Sequence, residues 1–417
     1  MLTVFGATGN TGSVVVERLL AAGAKVRAVV RDRDKGAALA AKGAELVVGD
    51  VTDAALVARA LEGAEGAYLI VPPDLQARDL LAKSRSIVAG YVEGLRRAKV
   101  PHAVFLSSVG AQHEAGTGPT RLSHQAEVAL RAVGGTRFTF VRAPFFMENL
   151  LASAHPMRSD GVLPVLGGGE SFAMPMVAAH DLGDVAADAL LAPPSATEIV
   201  EVRGPRDRSF VEAAAIASEI LGREVTARVV PIDAIVPALT STGMSENVAS
   251  LFRELSEGAA RGLLAYEGAG RTVRGRVTLE EVLRRGLAPS DASSVVRRVF
   301  DEVVNQRRTE LLPELFAADY EGPQGGRGPA SFGALVDTLR GGFPDIQYVL
   351  DEVIAQGDRV AVRWSWSGTH RGTFRTFAPT GRTITHRGMS FFELRGGRIT
   401  RSWTELDRQA FAEQLSA

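Results

Sequence analysis

Gly6-Ala7-Thr8-Gly9-Asn10-Thr11-Gly12 follows the apolar run Leu2-Thr3-Val4-Phe5 and precedes Ser13-Val14-Val15-Val16-Glu17-Arg18-Leu19-Leu20. The order reads as strand, glycine turn, helix. A pyrophosphate has to approach the backbone closely, and residues without Cβ allow both the tight turn and that approach. Free N–H groups at the helix start complete an anion site. A glycine triplet is a weak signal alone, and its place between a strand and a helix is what gives it weight. Gly6, Thr8, Gly9, Asn10, Thr11 and Gly12 are therefore expected to bind a dinucleotide.

Gly23 is placed to end the helix, and Lys25 to Val30 reads as a second strand. The residue closing that strand, about 20 positions beyond the glycines, meets the adenosine ribose in a dinucleotide fold. Here it is Arg31, followed by Asp32, Arg33 and Lys35. An arginine pairs with a 2′-phosphate where an acidic residue would take a free 2′-hydroxyl, so Arg31 favours NADP(H), and Asp32 keeps NAD as the less favoured choice. The alternation continues through Glu45 to Val48, a helix near Asp53 to Leu61, and Gly66 to Val71. Short apolar strands alternating with helices specify an α/β doubly wound parallel sheet. Asp50 and Val51 then fall near the adenine, and Val71 and Pro72 near the middle of the cofactor.

The chain has 417 residues, 46% of them hydrophobic and 23% charged, which fits two or three globular domains. A formal net charge of −1 gives no general attraction to nucleic acid or anionic membranes. There are no cysteines, so disulfides, thiolate zinc sites and cysteine nucleophiles are excluded together. No metal site is expected. No apolar run reaches membrane-spanning length, and a strand beginning at Leu2 leaves no room for a signal peptide, so a cytoplasmic protein is expected. The only lysines are Lys25, Lys35, Lys42, Lys83 and Lys99, so no mechanism can use a lysine beyond residue 99.

A helix near Ser84 to Ala98 leads to a strand, His102 to Leu106, and then Ser107-Ser108-Val109-Gly110. These residues, with the opening glycines, Val29-Val30-Arg31-Asp32, Gly49-Asp50-Val51 and Val141-Arg142-Ala143-Pro144-Phe145-Phe146-Met147-Glu148-Asn149, resemble the NmrA-like branch of atypical short-chain dehydrogenases/reductases. The resemblance covers residues 1–286 and implies an NAD(P)-binding Rossmann domain with a small substrate lobe, Ser107 and Pro144 joining the cofactor site. The Tyr-x-x-x-Lys pair of the wider superfamily is absent: tyrosines occur only at 68, 91, 266, 320 and 348. His124-Gln125-Ala126-Glu127 is similar to an element of the quinone-reductase-like members, which implies His124 as hydrogen-bond or proton donor and Ser108 as an orienting hydroxyl. Phe145, Phe146, Met147 and Phe172 would make the substrate pocket apolar, or serve as core, and His180 reads as structural.

Residues 287–293 read as a linker. After them come a helix from Val295 to Arg307, a shorter one to Phe316, and another near Phe332 to Arg340. From Ile346 the pattern turns to strands: Ile346 to Gln356, Arg359 to His370, Arg382 to Arg395 and Arg398 to Asp407. Helices followed by a curved antiparallel sheet suggest an α+β half-barrel with a conical pocket. Gly368-Thr369-His370-Arg371-Gly372, Ala378-Pro379-Thr380-Gly381-Arg382 and Gly397-Arg398-Ile399-Thr400-Arg401-Ser402-Trp403 resemble SnoaL-like polyketide or ester cyclases of the cystatin-like fold, over residues 294–417.

In that family the acidic residue four after the last-strand Trp is the general acid/base, which implies Asp407. Strand alternation would place Ile399, Trp403 and Asp407 on one face, and His370 shares the parity of Val360, Val362, Trp364 and Trp366. His386 and Glu393 are further candidates with structural roles favoured. The expected protein is an NADPH-dependent reductase of a quinone, enone or small carbonyl compound, fused to a domain that binds, cyclises or isomerises a related small molecule. The alternative is an NADP(H)-binding redox sensor without turnover, whose second domain binds a ligand or forms a homodimer.

Overall fold

The computed structural model describes residues 1–287 and 292–416, and the chain divides after Leu287 into two compact units. Residues 288–291 of the expected linker lie outside the described residues. In the first unit, α1 (Gly12–Ala21), α2 (Arg33–Ala41), α3 (Ala54–Leu61), α4 (Leu80–Ala98) and α5 (Arg121–Arg131) alternate with β1 (Leu2–Val4), β2 (Val26–Val30), β3 (Glu45–Val48), β4 (Gly66–Leu69), β5 (His102–Ser108) and β6 (Arg137–Ala143). Asp32, Asp53 and Asp79 each accept a first-turn N–H of α2, α3 and α4, which fixes where these helices start.

Beyond β6 come β7 (Phe145–Phe146), α6 (Ala154–Ser159), β8 (Val162–Leu166), β9 (Met176–Val177), α7 (Ala179–Leu191), β10 (Glu198–Arg203), α8 (Phe210–Leu221) and β11 (Thr226–Val230). The unit closes with α9 (Ile235–Ser241), α10 (Glu246–Ala260), β12 (Arg271–Arg274) and α11 (Leu279–Leu287). Eight strands form one sheet in the order β12-β10-β6-β5-β4-β1-β2-β3, and every neighbouring pair is parallel. Its two faces carry separate cores. Val15, Val16 and Leu19 of α1 join Leu182 and Ala186 of α7 on one, while Val57, Tyr91, Leu95 and Leu130 of α3, α4 and α5 fill the other. The strand order reverses between β1 and β4, so their carboxyl ends open a crevice. No described helix is long and apolar enough to cross a membrane.

The second unit begins with α12 (Ala292–Arg298), three residues earlier than the sequence suggests, which takes Ala292 and Ser293 out of the linker. From Val299 to Asn305 the helix widens into a π-helix, which a 3.6-residue periodicity does not distinguish. Arg340 secures this end by donating to the carbonyls of Val304 and Asn305, and Asn305 brackets the backbone of Tyr348. α13 (Leu312–Leu315) runs into an unforeseen strand, β13 (Phe316–Glu321), and α14 (Pro329–Gly342) precedes β14 (Gln347–Gln356), β15 (Arg359–Thr369), β16 (Thr383–Arg395) and β17 (Arg398–Leu406). The sheet order is β13-β17-β16-β15-β14, antiparallel except for β13 beside β17. α15 (Arg408–Ser416) follows.

Gly12 touches backbone, not side chain: a Cβ there would lie 2.2 Å from the Gly6 carbonyl oxygen. Gly12→Ala is expected to destabilise the first unit by about 1–3 kcal/mol through overpacking. All three tryptophans, Trp364, Trp366 and Trp403, sit in the second unit. Urea unfolding followed by far-UV circular dichroism should therefore shift while the tryptophan transition stays in place.

Candidate functional site

At the carboxyl end of β1 the chain turns at Gly6, whose φ of +65° suits glycine and whose Cβ would meet Ile70 at 2.8 Å. Thr8, Gly9 and Asn10 are exposed at the crest, whereas Ala7, Thr11 and Gly12 are buried beneath it. The Thr11 and Tyr68 hydroxyls share a 2.8 Å hydrogen bond under the loop, and burial pushes the Tyr68 phenol well above its usual range. No side chain caps the start of α1. A bare backbone crest over a helix start with no side-chain cap is the cradle a pyrophosphate requires, so these residues fit a dinucleotide.

Arg31 is exposed just beyond β2 with no hydrogen-bond partner among the described residues. Its neighbour Asp32 is committed, its carboxylate accepting the Asp34 N–H at 2.8 Å to cap α2. Asp50 accepts the Thr52 N–H and hydroxyl, both at 2.8 Å; these bonds, with Lys83 and Arg31 nearby, hold its carboxyl below the usual range. Val51 and Val71 are half-buried against the apolar layer of α3 and α4, Pro72 is half-buried beyond β4, and Pro144 is buried directly after β6.

At the end of β5 the Ser107 hydroxyl turns into the fold, while Ser108 is half-buried. Ser107 donates to Glu127 at 2.6 Å, and Ser108 donates to the Val109 carbonyl at 3.0 Å. Glu127 is held by two bonds from Arg142, each 2.9 Å, and by Arg131 at 3.1 Å, while Arg142 also pairs with Glu267 at 2.7 Å. Glu127 and Arg142 are almost fully buried. Burial alone would raise the Glu127 carboxyl, but the guanidinium of Arg142 and the Ser107 hydroxyl outweigh it and hold the group below its usual range. This network is absent from any sequence pattern, because only the β5–β6 pairing and the docking of α5 bring residues 107, 127 and 142 together.

One helical turn before Glu127, His124 donates from Nδ1 to the Ala111 carbonyl at 2.9 Å, leaving Nε2 as its unused nitrogen. The ring lines a groove of about 710 Å³ between α4 and α5, with Ser84, Val88 and Gln125. The Gly110 to Gly118 segment before it lies against α10, where Glu254 accepts the Gly116 N–H at 2.7 Å and pairs with Arg121 at 3.3 Å. In the lobe, Met147 is buried with Met157, Met176 and Ile216, and Phe145 packs edge-on against Phe210. Phe172 instead stands 73% exposed. Glu148 accepts the Ala179 N–H through both oxygens, and burial raises its carboxyl. Asp181 accepts the N–H groups of Arg276 and Val277, which staples α7 to the segment before α11, while His180 pairs with Asp184 at 3.4 Å and Asp184 with Arg18 of α1 at 3.2 Å.

In the second unit the face expected for Asp407 is not the face the fold gives. Ile399 pairs with Leu394 and Arg401 with Glu393, so one extra residue bulges from β17 and inverts the alternation beyond it. Ile399 and Ser402 point inward, Trp403 is 43% exposed, and Asp407 is exposed with its carboxylate capping α15 through the Ala410 N–H at 3.0 Å. His370 is fully buried, its Nδ1 accepting the Thr380 N–H at 3.3 Å, and its Nε2 has no partner. His386 is also buried with an unpartnered Nε2, and burial lowers its pKa. Glu393 pairs at the surface with Arg359 at 3.2 Å.

Residues 1–281 match the NmrA-like family, and residues 294–415 match SnoaL-like polyketide cyclases. The chain is 30% identical over 256 residues to an NAD(P)H azoreductase of Xenophilus azovorans, covering 61% of this chain and 86% of that protein. It is 32% identical over 240 residues to (4-alkanoyl-5-oxo-2,5-dihydrofuran-3-yl)methyl phosphate reductase of Streptomyces griseus, covering 57% and 80%. The fold is that of an Escherichia coli NADPH-dependent quinone oxidoreductase crystallised with NADPH, with a TM-score of 0.58 at 24% identity, covering 68% of this chain and 99% of that one.

Arg142→Met removes the main partner of a buried carboxylate and is expected to cost about 3–5 kcal/mol near pH 7. Because the folded pKa of Glu127 is depressed, the pair contributes fully above the ordinary glutamate value of 4.5 and its contribution is lost as pH falls through the depressed value. Urea titrations should show the gap between wild type and variant largest near neutrality and narrowing in acid.

Proposed function

This chain belongs to the NmrA-like family, and from that premise we propose that it is an NADPH-dependent oxidoreductase delivering hydride to a quinone, enone, azo or small carbonyl acceptor. The observation that carries the cofactor choice is Arg31, a guanidinium just beyond β2 with no hydrogen-bond partner among the described residues, next to an Asp32 already spent on a helix cap. Residues 6–12 would hold the pyrophosphate through backbone amides, Arg31 the 2′-phosphate, and Asp50 with Val51 the adenosine. Bound there, the reduced nicotinamide supplies the hydride.

A two-electron reduction also needs a proton at the acceptor oxygen or nitrogen. No tyrosine–lysine pair is available, so we assign the proton to His124, whose ring is oriented by the Ala111 carbonyl with Nε2 left to exchange it. Glu127, locked by Arg142 and Ser107, anchors the helix carrying His124 and takes no part in proton transfer. The second unit binds an aromatic or carbonyl compound of related chemistry, with the buried His370 and His386 as its interior polar groups.

The missing tyrosine–lysine pair favours one second reading, an NADP(H) sensor without turnover. An exposed transverse row on the outer sheet, Ile354, Phe391 and Trp403, favours an interface between copies as a second role for the C-terminal unit. NADPH oxidation followed at 340 nm against quinones, azo dyes and enones is expected to give turnover. His124→Ala should lower kcat by about 10²-fold with little change in the KM for NADPH. Tight NADPH binding without oxidation by any acceptor would select the sensor.

A further inference from the structure

The interior of the second unit is closed by its own last helix. Phe411 of α15 stacks on His386 with ring centroids 4.7 Å apart and an interplanar angle of 28°. It meets Trp366 and Phe374 edge-on, each at 5.7 Å, and Phe343 at 6.1 Å. Phe343 in turn stacks on His370 at 5.1 Å. One phenyl ring therefore fills an aromatic pouch against the buried imidazole of His386, whose Nε2 has no partner among the described residues, and against Phe343, which stacks on the second buried imidazole, His370.

Little else holds α15 in place. It has nine residues, short for a helix to persist alone. Leu415 is its one fully buried side chain. Gln414 exchanges hydrogen bonds with the Thr385 backbone at 3.2 and 3.0 Å, and Asp407 caps its start. Arg408, Gln409, Glu413 and Ser416 face solvent.

We infer that α15 is a displaceable plug, with Phe411 in the seat of a flat aromatic ligand bearing hydroxyl or oxo groups. This rests on the reading that the second unit binds a small molecule. The Nε2 of the buried His386, on which Phe411 stacks, has no partner among the described residues and calls for a hydrogen-bonding oxygen. A phenyl ring offers His386 no hydrogen bond, and an unmade buried hydrogen bond is costly. An oxygenated aromatic restores the stacking on His386 and supplies the missing partner, which gives it the differential affinity needed to expel Phe411. The reductase reading invokes acceptors and products of the same shape and polarity.

The test titrates the full-length chain with 1-naphthol and follows tryptophan emission, which reports the second unit alone because all three tryptophans lie there. A ring seated about nine-tenths of the time predicts that Phe411→Ala tightens apparent binding about tenfold, since competition for the seat is removed. Gln414→Ala, which loosens α15 without altering the pouch, should tighten binding by a smaller factor, and it decides the matter should Phe411→Ala fail to fold. Variants that melt cooperatively and bind no tighter than wild type overturn the plug while leaving the ligand site standing. Absence of binding in wild type and both variants overturns the plug and the ligand reading together.

Discussion

The first turn of α1 rests against the carbonyl of Gly6 with no room for a methyl group, and that backbone contact sets where the crevice opens. Gly12 lets the helix begin directly beneath the loop, so the crest Thr8 to Asn10 faces outward. The sheet supplies the rest of the frame. Its order changes direction between β1 and β4, leaving the loop at the one point where neighbouring crossovers diverge. The Thr11–Tyr68 hydrogen bond ties the underside of the loop to β4 across that junction. The shape of the loop crest thus follows from a packing constraint at two glycines.

A second constraint ties α5 to the sheet. The Glu127–Arg142 pair lies beneath the ends of β5 and β6, and its partners come from β5 (Ser107), from one turn further along α5 (Arg131) and from the segment before β12 (Glu267). A buried ion pair fixes geometry more surely than it adds stability. Its consequence is division of labour: the Ser107 hydroxyl is consumed in structure, while His124 on the same helix keeps one nitrogen free.

The architecture was legible because period-2 and period-3.6 patterns, aspartate caps and positive-φ glycines are local signals. The position of Arg31 just beyond β2 was legible for the same reason, since the strand ends where the pattern puts it. What stayed hidden is non-local or depends on a single inserted residue. The bulge in β17 turned Trp403 and Asp407 away from the interior, a reversal that alternation counting misses by construction. The π-helix at Val299–Asn305 depends on the buried Arg340 and on Asn305 reaching residues about forty positions away. The network around Glu127 joins three elements with no spacing rule between them.

The central claim is a 2′-phosphate site at Arg31, because it decides which nicotinamide cofactor the crevice serves. Titration of the purified chain with NADPH and with NADH, followed by nicotinamide fluorescence, tests it directly. A charge-assisted contact worth about 1.5–3 kcal/mol predicts NADPH binding at least about tenfold tighter than NADH. Equal affinities, or tighter NADH, would contradict the account.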